Sequence, residues 1–118
     1  MGRPSELQPK LRLFRGRIRL FGPGKAELLR EIEATGSIRS AAARMRMSYN
    51  RAWTLVRSMN AAFRGKVVTA SRGGGAGGGA ALTATGRKVL DCYSRMERAC
   101  LEATRADRRA LGELAAKR

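Results

Sequence analysis

Two hydrophobic periods divide this chain. In Lys10 to Phe21 (KLRLFRGRIRLF) apolar and basic residues alternate, as on a strand with one covered face. Leu11 and Leu13 share one phase and Ile18 and Leu20 the other, so the slip near Phe14 to Gly16 predicts a bulge or a turn. An amphipathic helix with a basic polar face is the alternative, and the period does not separate the two. After the breaker Phe21-Gly22-Pro23-Gly24 the spacing becomes helical. Lys25 to Thr35 places Leu28, Leu29 and Ile32 on one face, and Gly36 is suited to end that helix. Ser37 is an N-cap for a second helix, Ile38 to about Arg46, with Ile38, Ala41, Ala42 and Met45 on one side. Ser48 opens a third, to about Phe63, whose inward set is Ala52, Trp53, Val56, Met59 and Phe63.

Lys66 to Ser71 is β-branched and short, hence a strand, and Ala81-Leu82 fits a returning one. Between them Arg72 to Ala80 (RGGGAGGGA) is too glycine-rich for regular structure. Thr83 caps a last helix reaching Thr104, and Leu114 if it continues. Its stripe is Val89, Leu90, Tyr93, Met96 and Cys100, extended by Leu111 and Leu114. The expected fold is mainly α with a small β-hairpin wing: a winged helix-turn-helix with a long C-terminal helix. Residues 1–9 are expected to form a flexible arm and 10–104 the winged helix-turn-helix domain, with a dimerisation helix from about 84. Residues 105–118 are read as a helical extension or a frayed tail.

Composition narrows the partner. Lys and Arg number 25 against 9 Asp and Glu, a net charge of +16, in a chain of 118 residues with one core. Nucleic acid is the natural polyanion for such a surface, because neutralising phosphates releases condensed counterions. A merely solvated basic surface and an anionic membrane are the competing readings. No stretch approaches the roughly 20 apolar residues that span a bilayer. The N-terminus does not resemble a secretory signal, which predicts a cytoplasmic protein. With two Cys and no His, no metal site or other cofactor is expected. Cys92 and Cys100 would lie roughly 12 Å apart along a helix, too far for a disulfide within the chain. No nucleophile has an evident base nearby, so no enzyme is predicted.

The informative segment is Ser37 to Val56, SIRSAAARMRMSYNRAWTLV. Two short helices must cross closely if the second is to project into a groove about 12 Å wide, and Ala41, Ala42 and Ala43 supply small contacts. Facing outward from the second are Ser48, Tyr49, Asn50, Arg51 and Thr54. Asn50 and Arg51 suit adenine and guanine edges, with Thr54 beside them; Ser48, Arg39 and Arg72 suit the phosphate backbone, and Tyr49 suits either a hydroxyl-to-phosphate contact or a half-buried packing role. In the glycine run, Gly73 and Gly74 would let backbone N–H groups approach DNA. The run lacks the Gly-Lys-Ser/Thr of a phosphate-binding loop. Trp53 is read as core. The turn carries Arg46 where many such motifs have Gly. Tyr93, Met96 and Cys100 are the candidate dimer seam, because their stripe outruns what one small domain must cover.

GSIRSAAARMRMSYNRAW and the later VVTASRGGGAGGGAALTATGRKVL resemble the N-terminal DNA-binding domain of the molybdate-responsive regulators of the ModE family, and more distantly that of LysR-type regulators. The similarity runs from about Lys25 to Leu101; the Ser-Tyr-x-x-Ala-Trp run and the glycines ahead of Ala-Leu-Thr are its specific parts. It implies a dimeric winged helix that reads double-stranded DNA and regulates transcription, by association in molybdenum or oxyanion metabolism. Full-length members carry C-terminal oxyanion-binding domains, and no such domain is expected in this chain. A non-specific RNA-binding or nucleoid-type protein and a protein-docking adaptor are the other functional readings.

Overall fold

The computed structural model describes residues 6–71 and 79–116. Two strands, β1 (Leu13–Arg15) and β2 (Ile18–Phe21), form an antiparallel hairpin. The alternating segment is thus extended, not helical. The slip in its pattern holds both predicted devices: a turn with Gly16 at φ 60° and a register shift between Leu13 and Phe14.

Three helices follow: α1 (Pro23–Thr35), α2 (Ile38–Arg44) and α3 (Tyr49–Ala62). Gly36, at φ 72°, ends α1 and donates its N–H to the Ile32 carbonyl (2.7 Å). Ser37 then caps α2 by accepting from the Ser40 N–H (3.0 Å). Helices α2 and α3 pack together, and Ala41, Ala42 and Ala52 are buried in the core they share with Ile38, Val56 and Met59; Ala43, the third alanine expected there, is exposed. Leu28, Leu29 and Ile32 complete this core from α1.

The turn from α2 to α3 closes without glycine. Arg46 sits at φ 57°, its N–H bonded to the Ala43 carbonyl (3.1 Å), and the Met47 N–H reaches the Ala42 carbonyl (3.0 Å). This pair of bonds is the Schellman arrangement, with arginine where glycine is usual.

A second hairpin, β3 (Val68–Ser71) and β4 (Gly79–Leu82), is the wing, paired from Val68 opposite Leu82 to Ser71 opposite Gly79. It is fixed at three points. Asn60, from the last turn of α3, accepts from the N–H groups of Val67 (2.8 Å) and Val68 (3.1 Å) and donates to the Val68 carbonyl (3.2 Å). The Ala80 N–H bonds the Gly36 carbonyl (2.8 Å), joining β4 to the end of α1. Thr83 donates its hydroxyl to the Lys66 carbonyl and caps α4 (Ala84–Ala103) through the Gly86 N–H (2.9 Å).

Helix α4 returns across the core, and its stripe behaves differently from the expectation of a seam. Tyr93 is 1% exposed, and its hydroxyl donates to the Leu11 carbonyl (2.6 Å). Its ring meets Phe21 edge-on at 5.0 Å, and Phe21 meets Phe63 at 6.1 Å. Tyr93 is therefore committed to the protomer's own core, where each such aromatic pair contributes about 0.5–1.5 kcal/mol beyond area burial. Burial, and secondarily Glu97, raises its phenol pKa above the ordinary tyrosine value. Met96 is 41% exposed, and Cys100 is half-buried. Arg30 ties α1 to α4, donating to Ser94 (3.0 Å) and to Glu97 (2.7 Å).

The last helical stretch is interrupted at Thr104, and α5 runs over Arg105–Leu114. Thr104 has ψ 3°, and its hydroxyl donates back to the Cys100 carbonyl (2.6 Å), a local bond that competes with straight continuation. Arg108 bridges the break by donating to Thr104 Oγ1, the Leu101 carbonyl and the Leu7 carbonyl.

Two backbone positions give stability predictions. A Cβ built on Gly86 would overlap the Val67 carbonyl group. Gly86→Ala should therefore lower stability by about 1–3 kcal/mol in thermal unfolding, despite alanine's better helix propensity. Arg46→Gly, by relieving a left-handed residue, should raise stability by about 0.5–1 kcal/mol in a denaturant titration.

Candidate nucleic-acid interface

The first turn of α3 is built by its cap. Ser48 Oγ accepts the Arg51 N–H (3.0 Å), which occupies the hydroxyl oxygen and leaves its proton to donate outward. With the cap set and Ala52, Val56 and Met59 buried, helical spacing turns Tyr49, Asn50, Arg51 and Thr54 to solvent, and all four are exposed. The Thr54 hydroxyl donates to the Asn50 carbonyl (2.9 Å), so only its oxygen remains to accept from a ligand. Neither Asn50 nor Arg51 has a side-chain hydrogen bond or ion pair among the described residues. Both are presented outward.

Arg39 and Tyr49, separate in sequence, are brought together: the Arg39 guanidinium lies 4.3 Å from the Tyr49 ring centroid. Tyr49 also meets Trp53 edge-on at 6.3 Å. Trp53 is half-buried and packs against the core, while its open side faces Arg57, whose guanidinium is 6.0 Å from the ring. Such contacts hold the flexible side chains of Arg39 and Arg57 in place while leaving the guanidinium donors outward. Arg57 was missed in the sequence reading. Asn50, Thr54 and Arg57 follow the i, i+4, i+7 spacing of one helical stripe, which is the signal that could have found it. Arg46, exposed on the turn, was noted for its backbone and not for its charge.

Charge segregation sharpens the surface. No acidic residue occurs from Ala34 to Leu90, a segment holding Arg39, Arg44, Arg46, Arg51, Arg57, Arg64 and Lys66. The acids of α1 are engaged by the protein's own arginines: Glu31 pairs with Arg44 (3.0 Å), Glu33 with Arg87, and Glu27 with Arg30 (3.7 Å). Lys25, between the Leu20 carbonyl (3.4 Å) and Ser58 Oγ (3.5 Å), has its pKa lowered by burial and then by the nearby Arg19 charge. This arrangement can attract and hold a polyanion.

Arg72, Gly73 and Gly74, the expected wing-tip contacts, lie outside the described residues. The strands leading to them run from the Asn60 clamp, with Thr69, Ala70 and Ser71 exposed. Among the described residues no group of three or more His, Cys, Asp or Glu could hold a metal ion, and no helix is long and apolar enough to cross a membrane.

No protein-family model matches the chain. Curated relatives do. The molybdenum-pterin-binding protein MopB of Rhodobacter capsulatus is 45% identical over 77 residues, 65% of this chain and 28% of the relative. The transcriptional regulator ModE of Haemophilus influenzae is 37% identical over 76 residues, covering 64% of this chain and 30% of that protein. The DNA-binding transcriptional dual regulator ModE of Escherichia coli K12 is 35% identical over 71 residues, 60% of this chain and 27% of its own length. The matched segment thus spans less than a third of each of these relatives. Over about two thirds of its length the chain is thus a homologue of ModE and Mop proteins, as its sequence resemblance implies.

Proposed function

We propose that the protein is a transcriptional regulator that binds double-stranded DNA sequence-specifically as a homodimer. The observation that carries this reading is the first turn of α3, where a Ser48 cap holds Asn50 and Arg51 exposed in a segment of the chain without acidic residues. Bidentate donors on a helix that fits the major groove discriminate bases, and Asn50 and Arg51 take that role with Thr54. Ser48, Tyr49, Arg39 and, on the wing, Arg72 with Gly73 and Gly74 take the phosphate backbone. Kinship with proteins named as ModE regulators supports the regulatory role. By the same kinship the controlled genes concern molybdenum or oxyanion metabolism. Molybdate sensing is not carried over, since the match covers less than a third of those relatives.

The dimer rests on α4 and α5. Met96, Leu101, Leu111 and Leu114 are exposed, Leu114 by 83%, on two consecutive helices. With Tyr93 taken by the core, Met96 and the half-buried Cys100 are what remain of the expected seam. A net charge of +16 per protomer opposes association, so apolar burial or bound DNA must offset it.

Selection of bound sites from random duplexes tests the reading. An inverted repeat is expected; recovery of no consensus, or preference for RNA or single strands, would favour the non-specific alternative and overturn ours. Arg51→Ala should cost about 1–3 kcal/mol at the selected site and relax base choice at one position of each half-site, as read by competition binding. Met96→Lys should shift the protein toward monomer in sedimentation and weaken binding to the full repeat more than to a half-site.

A further inference from the structure

The β1–β2 hairpin is not needed to form the reading helix, yet it is the most exposed and most basic ribbon of the described structure. Arg15, Arg17 and Arg19 lie within five residues around the Gly16 turn, and no acidic residue occurs from Leu7 to Ala26. Its apolar residues do not all turn inward: Phe14 is 54% and Ile18 69% exposed. The Arg19 guanidinium lies 5.9 Å from the Phe14 ring centroid. A solvated surface gains nothing from crowding like charges in this way, whereas a phosphate backbone relieves the repulsion.

The ribbon is also held relative to α3. Its base residue Phe21 is buried between Phe63 and Tyr93, and Lys25 donates to both the Leu20 carbonyl and Ser58 on α3. Tyr49 to Ser58 spans about 14 Å along α3 at the helical rise. Leu20 to Arg17 spans roughly 10 Å along β2. Both lengths together fall short of one duplex turn, about 34 Å. A two-stranded ribbon carrying arginines beside exposed apolar residues also suits the edge of a groove.

We infer that the β1–β2 hairpin is a second DNA-contacting arm, which uses Arg15, Arg17 and Arg19 to grip the phosphate backbone of duplex flanking the bases read by α3. The inference rests on the reading of α3 as a duplex-binding helix and extends the footprint beyond it. The arm adds affinity without base choice, because phosphates carry no sequence information.

The test is the triple variant Arg15→Gln, Arg17→Gln, Arg19→Gln in the full chain, on a duplex carrying the selected site with long flanks. These side chains are exposed, so the melting curve should be unchanged. The slope of log K against log salt should fall in magnitude by roughly 5, at about 0.9 per lost phosphate contact with three contacts from each protomer of the dimer. Affinity near 0.15 M salt should drop by at least about tenfold, with the selected sequence preserved. An unchanged slope overturns the arm. So does a variant that turns monomeric while keeping its phosphate contacts, which would assign the hairpin to a protein interface. Failure of the wild-type chain to bind duplex at all would instead sink the regulator reading, a result distinct from wild-type binding with no effect of the triple substitution.

Discussion

The close crossing of α2 and α3 is the constraint on which the rest of the structure depends. Ala41 and Ala42 on one helix and Ala52 on the other are buried at the contact, so larger side chains there would force the helices apart. That separation would change the angle at which α3 leaves the core, and with it the direction of Asn50 and Arg51. The turn between them accepts a left-handed Arg46 to preserve the geometry. The local strain is small beside the burial that the crossing secures.

Charge is arranged as deliberately as packing. Carboxylates on α1 are paired with Arg30, Arg44 and Arg87, and Glu97 on α4 joins the Arg30 group. These pairs are partly exposed, so each adds little stability. Their larger effect is positional: the acidic residues lie on α1, α4 and α5 and at Glu6, while α3 and the first hairpin carry arginines and no acidic residue.

Much of this organisation was legible in the sequence because it is local. Ser37, Ser48 and Thr83 each cap the helix that their position predicted, and Gly36 ends α1. The phase slip between Phe14 and Gly16 gave the first hairpin its turn. What escaped was non-local. Tyr93 lies on the expected stripe of α4, but periodicity does not reveal that its hydroxyl partner is Leu11, 82 residues away. Asn60 carries no periodic signal, since its three bonds go to the backbone of a strand that follows it. The interruption at Thr104 leaves no mark in the sequence, since Thr54 makes the same back-bond within α3 without breaking it. Residue type likewise discloses nothing of the φ that Arg46 adopts.

The Asn60 amide has a consequence for the energetics of recognition. Because α3 itself holds the first strand of the wing, the two cannot reorient independently without breaking three hydrogen bonds. Much of the entropic toll of aligning this helix with its neighbouring ribbon is met when the chain folds, and a ligand that engaged both would not have to meet it again. Preorganisation of this kind favours fast engagement and leaves little room for one element to be retuned without the other.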